Sequence, residues 1–165
     1  MKNALNAASM SVAKLCKVGA VIVRDSRTIV DGWNGTLPNE DNCCEEQAYV
    51  CRCGQQYSVG ADSTPTDITC TNCGTVSVDE SSVIRTRTKR SVLHAEENAI
   101  LYAARSGIAL EDCSMYTTYA PCLRCSRMIV AVGINKVYYM HEFKNSLGLE
   151  LLDKHGVLVT KLTNV

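Results

Sequence analysis

Two short motifs carry side chains able to hold a metal ion and move a proton. His94-Ala95-Glu96 reads H-x-E, and Pro121-Cys122-Leu123-Arg124-Cys125 reads P-C-x-x-C. One imidazole and two thiolates form a three-ligand set for zinc, and a catalytic zinc keeps its fourth position for water. Cysteines at i and i+3 lie on one face of a helical turn, so Cys122 and Cys125 can reach one ion. Each motif opens a predicted helix, whose positive dipole end favours thiolates. The chemistry expected is metal-assisted hydrolysis with Glu96 as the proton shuttle. The competing use of these residues, a purely structural zinc, needs a fourth ligand and leaves Glu96 without a role.

The elements that position these motifs alternate. Residues 2–16 read as a helix. Residues 18–23 and 28–33 read as strands of a hairpin about the polar turn 25–27. A helix follows over 94–106 with Gly107 as its cap, then a strand over 113–118. Pro121 opens a helix over 122–132 that stops at Gly133. A strand (136–140), a short helix (147–155) and a last strand (157–162) complete the order. Alternation of this kind predicts a layered α/β fold. Residues 39–90 show little periodicity and read as a long irregular stretch, which needs a reason to be ordered.

At 165 residues the chain is expected to form one domain, and 46% hydrophobic content makes it globular. Lys+Arg and Asp+Glu are both 17, for a net charge of zero. That balance favours a small substrate over long nucleic acid, whose binding draws on excess positive charge. No signal peptide and no membrane-spanning apolar run is evident, so a cytoplasmic location is expected. In a reducing compartment the ten cysteines read as metal ligands or catalytic groups rather than disulfides.

H-x-E followed by P-C-x-x-C is the signature of zinc deaminases. The chain resembles the dCMP deaminase family, its bacteriophage members included, well beyond those ligands. VGAVIVRD (Val18 to Asp25) is similar to that family's first strand, and Gly32-Trp33-Asn34-Gly35 to its G-Y-N-G. Asn42-Cys43-Cys44 is similar to the N-C that follows, and HAEENAI (His94 to Ile100) to its H-A-E-x-N-A-I. Tyr116-Thr117-Thr118, Gly133-Ile134 and Val137-Tyr138-Tyr139 extend the pattern, while residues 45–90 lack it. The resemblance implies a three-layer α/β/α fold with a five-stranded mixed sheet, in a single deaminase domain over 1–165. Residues 45–90 would be a cysteine-rich insertion. It further implies zinc-dependent conversion of dCMP to dUMP, activation by dCTP, inhibition by dTTP, and a homo-oligomer, either a hexamer or a dimer or trimer. Asn34, Gly35, Ala95, Arg105, Tyr119 and Pro121 become candidate substrate or effector contacts. Trp33 stands where the family has tyrosine. The segment Ser11 to Cys16 lacks the arginine that relatives carry there; Lys14 or Lys17 could replace its charge but not its fork.

Cys51-Arg52-Cys53-Gly54 and Cys70-Thr71-Asn72-Cys73-Gly74 resemble the two knuckles of a zinc ribbon. A second, structural zinc on Cys51, Cys53, Cys70 and Cys73 is expected, with Cys16, Cys43 and Cys44 as alternative ligands. It would staple a segment too poor in apolar residues to fold alone. In the run Arg85 to Arg90, residues 85, 87 and 89 share one face of an extended segment. It is either a solvated strand or a phosphate or subunit contact. Rival functions are deamination of dCTP or a modified dCMP, and a non-catalytic, zinc-stabilised module that binds nucleic acid. Transfer-RNA adenosine deaminases share the two motifs, but a basic surface is expected of them.

Overall fold

The computed structural model describes residues 1–50, 53, 56–60, 72 and 83–163. The chain divides into two compact units. The first comprises residues 1–11, 17–35 and 93–165, and the second residues 12–16 and 36–92.

The first unit is built on a five-stranded mixed sheet in the order β2-β1-β6-β7-β8. The hairpin of β1 (Gly19–Arg24) and β2 (Arg27–Trp33) turns through Asp25 and Ser26, both at positive φ. That conformation is tolerated best by short polar side chains when glycine is absent. β1 pairs antiparallel with β6 (Ser114–Tyr119), and β6, β7 (Lys136–His141) and β8 (Leu158–Lys161) run parallel. Four helices complete the unit: α1 (Lys2–Ser9), α2 (Ala95–Arg105), α3 (Leu123–Ala131) and α4 (Leu147–Lys154). Gly107, Gly133 and Gly156, just beyond α2, α3 and α4, have positive φ, as expected for glycines that end helices.

Alternation along β1 assigns the layers. Val21 packs with Ala4 and Ala7 of α1 on one face. Ile22 faces the other way, into a core with Ala99 and Ala103 of α2, Met115, Ile129 of α3, Val137 and Leu152 of α4. Helices thus lie on both sides of the sheet, the three-layer arrangement expected from the sequence. Gly32 is what brings α2 so near: a Cβ there would stand 2.6 Å from both the Ala95 carbonyl oxygen and the Ala99 nitrogen.

Two expectations need correction. The first helix ends at Ser9 rather than at residue 16. Beyond it the Ser11 hydroxyl donates to the Asn34 carbonyl at 2.8 Å, and the amides of Lys14 and Leu15 donate to the Glu45 carboxylate at 2.9 and 3.2 Å. The Glu45 carboxylate replaces the helical carbonyls that the Lys14 and Leu15 amides would otherwise use. The second correction concerns residues 39–90, which hold regular structure. β3 (Glu45–Val50), β4 (Gln56–Gly60) and β5 (Val83–Thr88) form an antiparallel sheet ordered β4-β3-β5. Main-chain pairing and the cross-strand ion pair of Glu46 with Arg87 (2.6 Å) hold strands whose sequences, EEQAYV and VIRTRT, lack clean apolar alternation. Lys89 pairs with Asp41 at 3.1 Å, so two cations of the basic run serve the second unit's own structure.

Candidate functional site

α2 and α3 begin side by side, and their first turns carry the chemistry. His94 is the N-cap of α2 and Cys122 the N-cap of α3, both in extended backbone. An N-cap residue stands half outside the helix, so its side chain is free to turn toward a neighbour. Cys125 follows one turn into α3 and is fully buried. His94 Nδ1 lies 3.5 Å from Cys122 Sγ and 3.5 Å from Cys125 Sγ. A tetrahedral zinc with bonds of about 2.0 Å to nitrogen and 2.3 Å to sulfur spaces such ligands about 3.5 Å apart. All three ligand atoms lie within 4.8 Å of one another, and among the described residues they form the one such cluster. The donor set and its spacing therefore fit zinc.

Glu96, two residues into the same motif, is 3% exposed, and its Oε2 stands 3.7 Å from Cys125 Sγ. Burial pushes its carboxyl up to about 7, against the lowering influence of its own backbone amide and of His94. A carboxyl poised there can both accept and return a proton near neutral pH. The hydrogen bond from Cys125, helped by that with His94, lowers Cys122 to about 3. Cys125 is raised, first because it is the donor of that bond and then by burial. The bond with Cys122 raises His94, partly offset by burial. The thiolate form is thus favoured at Cys122 and opposed at Cys125, whose proton must leave for a cation to bind both sulfurs.

The surrounding loops are tied to this pair of helix starts. Gly35 and Leu93 exchange backbone hydrogen bonds of 3.2 and 2.9 Å, which ties the segment after Asn34 to the residue before His94. Asn34 is buried, and its Oδ1 accepts the Val18 amide at 2.8 Å. Asn98 Nδ2 donates to the Trp33 carbonyl at 2.9 Å, fastening α2 to the end of β2. Ala95 and Pro121 are buried next to the ligands. Tyr119 ends β6 with its ring 5.1 Å from that of His141. Gly148 of α4 admits the Pro121 carbonyl, which a Cβ would meet at 2.1 Å. Arg105 is not brought to this centre. It is exposed at the far end of α2, about 14 Å along the axis from Glu96 at 1.5 Å per residue.

Glu97 adds a contact absent from the sequence reading: its Oε2 accepts the His94 amide at 3.4 Å and is ion-paired with Arg124. Opposite charges just after H-x-E and inside P-C-x-x-C were the available clue. Gly32 and Asn98 were also not singled out, because their partners are remote in sequence.

Of the expected ligands of a second zinc, Cys51, Cys70 and Cys73 lie outside the described residues, and Cys53 is exposed in a turn. Cys44 is buried with Ala13 and Val92, and Cys43 donates to the Glu45 carbonyl at 3.2 Å. Cys16 is half-buried, and among the described residues no metal-binding cluster includes Cys16, Cys43 or Cys44. No helix among the described residues is long and apolar enough to cross a membrane.

The profile described as "Cytidine and deoxycytidylate deaminase zinc-binding region" matches residues 1–141. Deoxycytidylate deaminase of Enterobacteria phage T4 is 33% identical over 156 residues, covering 89% of this chain and 80% of that protein. Deoxycytidylate deaminase of Saccharomyces cerevisiae is 30% identical over 164 residues, covering 99% of this chain and 43% of that longer protein. The crystal structure of dCMP deaminase from cyanophage S-TIM5 in complex with dCMP and dUMP superposes with a TM-score of 0.70 at 29% identity. It covers 98% of this chain and 92% of the other.

Proposed function

The chain belongs to the cytidine and deoxycytidylate deaminase family, and from that membership we propose that it hydrolyses dCMP to dUMP and ammonia at a single zinc ion. The observation that carries this reading is the buried Glu96 carboxylate 3.7 Å from one sulfur of a ligand triad whose nitrogen-to-sulfur spacings are 3.5 Å. A structural zinc gives no reason to bury a carboxylate there. The phage, yeast and cyanophage relatives point to dCMP as the substrate.

His94, Cys122 and Cys125 would hold the ion. Bound there, zinc supplies Lewis acidity, which lets a water lose a proton near neutral pH. Glu96 accepts that proton and delivers it to the ring nitrogen beside the reacting carbon. The water oxygen bonds to C4; Glu96 then takes the remaining proton from that new hydroxyl and gives it to the amino group, so that the carbon-to-nitrogen bond breaks, ammonia leaves and a C4 carbonyl remains. Ala95 and Pro121, closed in by α2 and α4, keep bulk water from the base. Asn34, Gly35, Ala95, Tyr119 and Pro121 flank the triad and are assigned to the nucleotide site. Arg105, remote from it, is assigned to an effector or a neighbouring subunit.

The finer readings belong to the same proposal. Residues 1–165 form one deaminase domain, with residues 45–90 as a cysteine-rich segment inserted within it. A second zinc on Cys51, Cys53, Cys70 and Cys73 orders the insertion. The enzyme acts as a cytoplasmic homo-oligomer under control by dCTP and dTTP.

Ammonia release from zinc-loaded protein is the test, with dCMP, dCTP, CMP and deoxycytidine as substrates. Preferential turnover of dCMP, altered by added dCTP or dTTP, supports the whole reading. Preference for dCTP moves the substrate within the same chemistry. No turnover on any of the four, with zinc occupancy verified, rejects it.

A further inference from the structure

We propose that Glu97 and Arg124 form a clasp that sets the distance between the two ligand-bearing helix starts, and so act as positioning residues for the metal centre. The inference rests on the zinc-deaminase reading above. Glu97 directly follows H-x-E, at the position that the H-A-E-x-N-A-I pattern leaves open, and Arg124 fills one that P-C-x-x-C leaves open, so the clasp belongs to this chain and not to the signature.

Arg124 is the anomaly that points to it. It lies in the first turn of α3, next to the positive end of the helix dipole, where a carboxylate is favoured and a cation opposed. α3 has no acidic residue in its own first turn, whereas α2 has two, Glu96 and Glu97. Glu96 is taken up by the reaction centre. Glu97, its side chain 13% exposed, turns the other way and meets the Arg124 guanidinium. The same oxygen, Oε2, also accepts the backbone amide of His94 at 3.4 Å. One atom therefore contacts the metal-ligand residue of α2 and a side chain set between the two ligand cysteines of α3. The misplaced cation gains across the helix pair what it loses within its own helix.

A surface ion pair of this exposure contributes little to folding. Its consequence is local. The triad is assembled from two helices that no covalent link holds within a few residues, and a shift of either one changes the 3.5 Å spacings to His94. Groups that orient metal ligands from outside the ligand set are typically worth about 10- to 100-fold in metal affinity or activity.

The experiment measures zinc dissociation constants by competition with a chromogenic chelator. The proteins are the wild type, E97Q, R124Q, R124K and E97Q/R124Q, with melting temperatures of the metal-free forms alongside. Each single glutamine variant is expected to bind zinc about 10-fold more weakly. The double variant should be no weaker than the worse single one, and R124K should recover part of the loss. Metal-free melting temperatures should stay together, and kcat should fall with little change in KM for dCMP. Zinc affinities within twofold of wild type, or losses that simply add, overturn the clasp. So does a rise in KM for dCMP confined to R124Q with zinc binding intact, since that marks the guanidinium as a substrate contact. Should E97Q fail to fold, the comparison of R124Q with R124K decides. A wild-type chain that binds no zinc overturns the parent reading before any variant is compared.

Discussion

Replacing Gly32 with alanine adds one methyl group where a strand meets the helix that carries His94 and Glu96. The added carbon would stand 2.6 Å from the Ala95 oxygen, 2.6 Å from the Ala99 nitrogen and 3.0 Å from the Ala99 Cα, whereas ordinary contact begins at 3.4 Å. The shortfall is about 0.8 Å, and every atom it meets is backbone, so α2 itself must yield rather than a side chain. Overpacking of this kind costs about 1–3 kcal/mol. The loss of a flexible residue from the unfolded chain returns only about 0.4–1 kcal/mol. With about 2–4 °C per kcal/mol for a chain of this size, the melting temperature should fall by roughly 2–8 °C. The larger effect is on catalysis. Glu96 and His94 move with α2 while Cys122 and Cys125 stay on α3, and a displacement near 1 Å can cost about 100-fold in rate. Thermal denaturation and steady-state deamination of dCMP read the two effects on one preparation. Gly35→Ala is the stability control from the same motif, because a Cβ there meets nothing within 4 Å; its melting temperature should match wild type. A Gly32→Ala protein with wild-type melting temperature and kcat/KM within twofold would refute the close approach of strand and helix.

Glu96→Gln should retain zinc and lose at least about 100-fold in kcat, since it removes the proton shuttle while leaving the triad in place; loss of zinc in that variant would make Glu96 a ligand instead. Zinc affinity should rise with pH. Cys125 holds its proton in the metal-free protein and must release it on binding, so each proton released steepens the affinity by about tenfold per pH unit; a flat profile from pH 6 to 8 contradicts the thiol-to-thiolate step. Elemental analysis should find two zinc ions per chain, falling to one in Cys70→Ser with dCMP turnover still measurable; one ion in both proteins removes the structural site.

How much of this was legible without coordinates depends on chain separation. His94 with Glu96, and Cys122 with Cys125, are pairs within one helical turn, so their spacing alone assigned ligands and shuttle. The glycines at 107, 133 and 156 marked helix ends because positive φ is a local demand. β1, β6 and β7 were readable from runs of apolar residues buried on at least one face. The strands of residues 36–92 were not, because EEQAYV and VIRTRT lack apolar alternation, whereas their main-chain pairing and the Glu46–Arg87 ion pair join segments about 40 residues apart. The first helix was read too long because nothing local announces that Ser11, Lys14 and Leu15 have distant hydrogen-bond partners.

What the sequence determined by itself is the donor set: an imidazole, two thiols and a carboxyl at fixed short spacings, the candidate zinc ligands and acid–base group, which any helix start would present. Tertiary structure alone decided that the two helix starts meet at 3.5 Å, that burial carries Glu96 to about 7, that Gly32 admits α2, and that Glu97 reaches Arg124. These are relations between segments 27 to 67 residues apart in the chain, and only packing of the helices on a common sheet brings such segments within a few ångströms.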